Sequence, residues 1–319
     1  MSIMMTIAET ASWLKERDGY LILTHRRPDG DTVGCAGALA QGLRESGKTA
    51  YVLYNPEITP RYLRFINDYR PPDGYEPEHV IAIDMASIEL FPKNGNGYKN
   101  SVTLCIDHHP SNTLYAKHTC LGETYASCGE VVYEILIAMS GEISGKSAEH
   151  LYAAISTDTG CFVFANTTAN TLRVASDLIE AGAPYRELNR VLFRTKTRNR
   201  IKIEGAVYSG LEFYFDGLVA ISAITREMME SANATEDDVD DIASLPGAIE
   251  GVLAGITIRE MASDNECKIS VRTTPLVDAH AICEHFGGGG HAMAAGCMLN
   301  KPIQEVKEAL LAVLEAHMP

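Results

Sequence analysis

Tyr20-Leu21-Ile22-Leu23-Thr24-His25-Arg26-Arg27-Pro28-Asp29-Gly30-Asp31 begins as an apolar run and ends in a turn that carries a histidine and two carboxylates. Residues 20–24 read as a buried strand, and residues 31–46 read as a helix stopped by Gly47. The same grammar repeats outward from this stretch. Residues 50–54 form the next expected strand, with further short apolar runs at 80–83 and 102–106. Helices are expected over 127–139, 147–155 and 168–181. Alternation of this kind predicts an α/β fold: an open, mostly parallel sheet with helices on both faces.

The pattern changes further along the chain. A run of basic residues from Arg186 to Lys202 reads as a helical connector, either a solvated helix face or a hinge turned toward substrate. Beyond it, strands are expected at 211–215, 218–224, 252–259 and 268–272. The acidic segment 227–241 reads as helical in parts, a short helix at 278–286 precedes a glycine run, and a last helix covers 303–317. The expected organisation is therefore a first domain over 1–185, a connector over 186–210 and a smaller α+β domain over 211–319. A chain of 319 residues is long enough for two domains.

Composition narrows the function. With 46% hydrophobic and 22% charged residues, the chain has the make-up of a foldable, soluble protein. The longest apolar runs fall well short of the ~18–20 residues of a membrane helix. The N-terminal stretch reads as an amphipathic helix and not as a signal peptide. The eight cysteines include no CxxC pair, which excludes a zinc ribbon and points to reduced thiols in a cytoplasmic protein. A net charge of −15 offers no track for long nucleic acid. It leaves room for a small phosphorylated substrate, because bound cations invert the sign of an acidic pocket.

Four apolar runs lead into acidic or histidine residues. The run 20–24 leads into His25, Asp29 and Asp31; 80–83 into Asp84; 102–106 into Asp107, His108 and His109; and 151–155 into Asp158. Treated as four strand ends, they would gather these groups outside the carboxyl edge of one sheet, where ligands of open α/β folds bind. A single Asp in such a place is usually a helix cap or a turn residue. Recurrence at four consecutive ends calls for a shared role. The donors are mostly carboxylates with some imidazoles and no thiolates, which suits manganese or magnesium, with iron or cobalt as alternatives, better than structural zinc. There are too many for a single magnesium, and they fit two ions roughly 3.5–4 Å apart.

These motifs, His25-Arg26-Arg27-Pro28-Asp29-Gly30-Asp31, Asp84, Asp107-His108-His109 and Asp158-Thr159-Gly160, resemble the ordered motifs of the DHH phosphoesterases. The run from Phe286 through Gly287–Gly290 and His291 to Gly296 resembles the signature of the DHH-associated C-terminal domain. The resemblance implies that His25, Asp29 and Asp84 hold one metal. Asp31, Asp84, His108 and Asp158 would hold the other, with Asp84 bridging. It sets His109 against the scissile phosphate as hydrogen-bond donor or general acid, and gives Asp107 the task of orienting a histidine. Gly288, Gly289, Gly290, His291 and Arg272 would grip a phosphate or the terminal nucleotide, the glycines by close backbone approach aided by a helix N-terminus.

Within that family the glycine–histidine signature excludes the pyrophosphatase branch, and the short length argues against a RecJ-like processive exonuclease. The compact branch implied is that of nanoRNases, which degrade oligoribonucleotides of a few residues and also act on adenosine 3′,5′-bisphosphate (pAp). The expected cofactors are two divalent cations, manganese first and magnesium or cobalt as alternatives. The expected partners are short RNA or small nucleotides and no membrane, and a homodimer is compatible with the reading. Hydrolysis of cyclic di-AMP or pApA is the alternative activity. A nucleotide sensor on the same fold is the non-enzymatic one.

Overall fold

A computed structural model of the chain describes residues 2–239, 241–263 and 265–318. The chain divides into two compact units, one up to Thr195 and one from Lys196 onward.

The first unit is built on β1 (Ile3–Met4), β2 (Tyr20–Leu23), β3 (Ala50–Val52), β4 (His79–Ile83), β5 (Val102–Asp107) and β6 (His118–Leu121). They form one sheet in the order β1-β6-β5-β4-β2-β3, with every pairing parallel. Alternate residues of the central strands face opposite ways. Ile22, Ile81, Ile83, Leu104 and Ile106 point into a core shared with α1 (Ile7–Lys15), α2 (Gly30–Glu45), α3 (Cys128–Ser140) and α4 (Gly145–Asp158). Leu21, Leu23, Val80, Ala82 and Cys105 point the other way, against Met85 and Phe91 beside the 3₁₀ turns Ile88–Leu90 and Lys93–Tyr98. Long helices thus cover one face and short ones the other. The helices carry conventional starts: Asp29 caps α2, Ser127 caps α3, Ser144 caps α4, and Thr168 opens α5 (Ala169–Glu180) with a capping box.

The run 151–155 reads in the sequence both as part of a helix over 147–155 and as a strand end; the helix is right, since the run lies inside α4. Leu151, Tyr152, Ala153, Ala154 and Ile155 are all buried because α4 is packed by α2, α3 and α5 at once. A helix enclosed on several sides loses its polar stripe and imitates a buried strand in sequence. Asp158 therefore stands at the C-terminal end of a helix. Strands β1 and β6 escape the sequence reading because they are only two and four residues long, and half of β6 is polar.

Helix α4 comes close to α2 because α2 offers it glycines. A Cβ on Gly34 would lie 2.5 Å from the His150 carbonyl oxygen and 2.8 Å from Ala154 Cβ, and one on Gly37 would lie 2.3 Å from His150 Cδ2. This contact fixes the start of α2, which bears Asp31, against the helix that ends in Asp158.

The second segment, from α6 (Tyr185–Asn189) and a π turn at Arg190–Arg194 to α7 (Arg198–Ser209), is shared between the units. Leu188 and Leu192 are buried in the first unit's core. Lys196 and Arg200 both bond Glu204, at 2.7 and 2.9 Å, within the second. The second unit has β7 (Glu212–Tyr214), β8 (Val219–Ile224), β9 (Ala254–Glu260), β10 (Glu266–Thr273), β11 (Gly289–His291) and β12 (Ala294–Asn300) in the order β11-β12-β10-β9-β8-β7. Only β8 and β9 run parallel. Helices α9 (Ala279–Glu284) and α10 (Ile303–Leu314) pack on this sheet, and α8 (Arg226–Ala232) packs with α7. The glycine run is not a loop leading into a helix N-terminus. It follows the end of α9 and becomes strand β11. No helix among the described residues is long and apolar enough to cross a membrane.

The glycine contact gives a paired prediction. Gly34→Ala should lower stability by roughly 1–3 kcal/mol through overpacking, although alanine is the better helix former. Gly205→Ala, in α7 with no neighbour within 4 Å, should instead raise it by about 0.5–1 kcal/mol. Denaturant unfolding of both variants checks this; a stabilised Gly34→Ala would mean that α2 and α4 are not in close contact.

Candidate metal centre

The strand order places β3 and β4 on opposite sides of β2, so the connections leaving β2 and β4 diverge. That is where an open α/β sheet leaves a crevice beyond its carboxyl ends. From β2 the chain enters Thr24 and His25. Buried Asn55 donates from Nδ2 to Thr24 Oγ1 (3.1 Å) and to the His25 carbonyl (2.8 Å), which fixes the turn. His25 Nδ1 donates to the Arg26 carbonyl at 2.8 Å. Its Nε2 is then left as an acceptor, 3.6 Å from Asp29 Oδ1 and 3.8 Å from Asp84 Oδ2. Asp29 uses Oδ1 also to cap α2 through the Thr32 N–H at 3.1 Å. Asp31, one residue into α2, accepts the N–H groups of Cys128 (2.8 Å) and Gly129 (3.0 Å), so the N-terminus of α3 holds its carboxylate in place.

Asp84 follows β4 with a left-handed backbone (φ 53°), and its N–H bonds the Ile106 carbonyl at 2.8 Å. It is 3% exposed, and its Oδ1 is a buried oxygen without a hydrogen-bond partner. Strand β5 ends in fully buried Asp107. Asp107 Oδ1 accepts the His108 N–H (2.8 Å) and His109 Nδ1–H (2.8 Å), and its Oδ2 accepts Asn112 Nδ2 (2.6 Å). His108 Nδ1 faces the Tyr125 carbonyl at 3.4 Å. Its Nε2 lies 3.7 Å from Asp84 Oδ1, 3.8 Å from Asp158 Oδ2 and 3.9 Å from Asp31 Oδ2.

The fold thus gathers His25, Asp29, Asp31, Asp84, Asp107, His108, His109 and Asp158 from four separate segments. Three sets of donors could each hold a cation: His25, Asp29 and Asp84; Asp31, His108 and Asp158; and Asp84, His108 and His109, with ligand atoms all within 4.8 Å of one another in each. Asp84 stands in two of the sets and lies within 4 Å of His108 in the remaining one. The orphaned Asp84 Oδ1 and the mix of carboxylate and imidazole fit a hard or borderline divalent ion. Electrostatics point the same way. Burial, then the charges of Asp84, Asp158 and Asp29, push the Asp31 carboxyl far above its ordinary range. Burial and the Asp29 charge do the same to Asp84, and raise Asp158 to about 7. Asp107 acts on His109 in the opposite sense, and its hydrogen bond raises the imidazole to about 9.

A cavity of about 720 Å³ opens on this centre and is lined by His25, Asp29, Asp84, His109 and Asp158. Arg26, Arg27, Lys93, Asn96 and Lys99 line it too. Sequence reasoning assigned no role to these basic groups. Arg26 and Arg27 stand inside the first motif and were legible there, whereas Lys93 and Lys99 reach the cavity only through tertiary structure.

The second unit keeps its own expected residues together. Arg272 on β10 pairs with Ala294 on β12, which pairs with His291 on β11, so all three share one face of the sheet. Arg272 also lines a cavity of about 200 Å³ with Ser244, Gly247 and Leu253. The glycines have a packing reason: a Cβ on Gly288 would meet the Gly296 carbonyl oxygen at 2.4 Å, and one on Gly290 the Ala294 carbonyl oxygen at 2.5 Å. Gly289 faces open space.

Comparison with known proteins agrees with this arrangement. Residues 20–155 match the DHH family, N-terminal domain, and residues 217–318 match the DHHA1 domain. The bifunctional oligoribonuclease and PAP phosphatase NrnA of Thermus thermophilus is 33% identical over 311 residues, 96% of this chain and 91% of that protein. The protein of the same name from Bacillus subtilis is 27% identical, over 88% of this chain and 90% of its own length. The crystal structure of an exopolyphosphatase-related protein from Bacteroides fragilis shares the fold with a TM-score of 0.86 at 22% identity, covering 97% of this chain and 96% of that one. The chain is a member of the DHH family with a DHHA1 domain as its second unit.

Proposed function

We propose that this chain hydrolyses phosphate esters of short oligoribonucleotides, and of pAp, with two divalent cations, manganese before magnesium or cobalt. The observation that carries the reading is the cluster around Asp84 and His108, with a buried carboxylate oxygen that has no hydrogen-bond partner. Support comes also from the two relatives named oligoribonuclease and PAP phosphatase, which align along most of the chain.

In this reading His25, Asp29 and Asp84 hold one cation, and Asp31, Asp84, His108 and Asp158 the other. The pair would supply activation of water and neutralisation of the phosphate charge. The chain's own groups do the rest. Asp107 Oδ1 keeps the Nδ1 proton of His109, so His109 Nε2–H is the group that donates to the leaving oxygen. In the metal-free protein the Asp107 hydrogen bond, the first cause, raises this imidazole to about 9, which favours the protonated ring a general acid needs. Arg272, His291 and the Gly288–Gly290 backbone take the terminal nucleotide, with Gly289, Gly290 and His291 all exposed on that strand.

The central ligand gives the first functional prediction. Asp84→Asn should cut kcat/KM by at least ~10³-fold, an order typical of losing a main electrostatic element of a catalytic site. It should also raise the Tm of the metal-free protein, because the cost of burying the Asp84 carboxyl, which shows as its strongly raised pKa, is removed. Near-wild-type turnover would sink the two-cation assignment.

A pH prediction follows from His109. Its folded pKa of about 9 exceeds the ordinary imidazole value, so the folded state holds this proton longer than the unfolded state. Its stabilising contribution is complete below about pH 6.5 and is lost as pH rises toward 9. The metal-free wild type should therefore lose more Tm between pH 7 and pH 9 than His109→Asn does. Parallel melting curves for the two proteins would exclude the His109–Asp107 pairing.

Substrate length tests the function itself. With a net charge of −15 the chain offers no extended electrostatic track along which a long strand could bind. Across pAp, pApA, cyclic di-AMP, RNA of two to five nucleotides and RNA of 24, kcat/KM should peak at the short oligomers and fall at least ~10-fold for the longest, about 1.4 kcal/mol of transition-state stabilisation. Faster, processive degradation of the 24-mer would favour a RecJ-like exonuclease instead.

A further inference from the structure

Arg27 is not used by the metal centre, yet the chain holds it in an unfavourable shape. Its backbone is left-handed (φ 49°), a conformation that residues with a Cβ avoid and that Asn and Asp tolerate best. Its side chain is exposed and, among the described residues, has no ion pair or hydrogen bond. Arg26 beside it is also exposed, and its side chain also has no such partner. The Arg26 backbone is nevertheless fixed: its N–H bonds the Leu90 carbonyl at 2.7 Å and its carbonyl accepts His25 Nδ1. Both arginines line the cavity that holds His25, Asp84, His109 and Asp158. Of the other cations there, Lys93 stands 3.8 Å from Glu57 Oε1 and is partly neutralised, while Lys99 sits 6.0 Å from the Phe91 ring.

A strained residue whose side chain earns no contact inside the protein points to a contact outside it. Two arginines, neighbours in sequence and lining one cavity beside a centre for phosphate esters, suit one class of ligand, a phosphate met by guanidinium hydrogen bonds. The proposed function gives the substrate's terminal phosphate to the DHHA1 unit and the scissile phosphate to the cations. Only the phosphate on the far side of the scissile bond is then left for the first unit's own cavity. We infer that Arg27, with Arg26 beside it, forms a subsite for that next phosphate, and so favours substrates that carry one. The inference rests on the oligoribonucleotide reading above.

The test compares pApA with pApAp, which differ only in a phosphate beyond the scissile bond. Initial rates of internal cleavage are read by chromatography, with release of inorganic phosphate from the 3′ end counted separately. The wild type should cleave pApAp internally with kcat/KM about tenfold or more above that for pApA, as befits one charge-assisted contact. In Arg27→Asn this ratio should fall to near one, while Tm rises by about 2–4 °C because asparagine accepts the left-handed backbone. Arg27→Lys should keep part of the preference and gain no Tm. A wild-type ratio near one, an unchanged ratio in Arg27→Asn, or an equal loss on both substrates would overturn the subsite. Failure of the wild type to cleave either dinucleotide would instead overturn the oligoribonucleotide reading, and the subsite with it.

Discussion

Three carboxylates, buried Asp31 and Asp84 and half-buried Asp158, crowd one imidazole nitrogen of His108 at the floor of an open cavity. Buried like charges are expensive, and this cluster has too few donors to satisfy itself. Much of the first unit is arranged to keep the groups together despite that cost. The N-terminus of α3 grips Asp31, the β4–β5 pairing fixes the Asp84 backbone, and glycines in α2 let α4 bring Asp158 close. The stability of this unit and its capacity for cations are two aspects of one arrangement.

Against that acidic cluster the Asp107–His109 pair is differently made. Asp107 is buried like the others, but its oxygens are engaged by backbone N–H groups, Asn112 and the His109 ring, and the carboxyl is held low. Two carboxylates at the ends of neighbouring strands, alike in burial, therefore take opposite characters. Asp84 lacks donors and calls for a cation, whereas Asp107 has its donors and passes its influence on through a neighbouring ring. The difference lies in hydrogen bonds that form only after folding.

Much of this was legible in the sequence. The alternation of apolar runs and helices pointed to the parallel sheet, and the residues after 24, 83 and 106 are brought together at its carboxyl edge. Asp158 was legible as a member of the set, and the helix over 147–155 before it was legible too, but the same run also reads as a strand end because a helix packed on several sides has no polar stripe. The glycine run was legible as special and misread in shape. Its glycines suggested a loop, but the constraint on Gly288 and Gly290 is the nearness of β12, a strand that the alternation rule does not find. The role of Asn55 and the approach of Lys93 and Lys99 were not legible at all, because they depend on how segments remote in sequence fold back over β2 and β4.

The hairpin of β11 and β12 also offers a vantage point for watching ligands arrive. Gly289 sits between two glycines that cannot carry a side chain without displacing the neighbouring strand, yet its own Cβ direction is open and its backbone is not left-handed. Of the eight native cysteines seven are buried, and only Cys161 is partly exposed. A thiol introduced at Gly289, with Cys161 replaced by serine, would be the one readily reached by a dye. An environment-sensitive fluorophore there would stand one residue from Gly290 and two from His291, and would report whether the nucleotide proposed to bind there does so, independently of any hydrolysis.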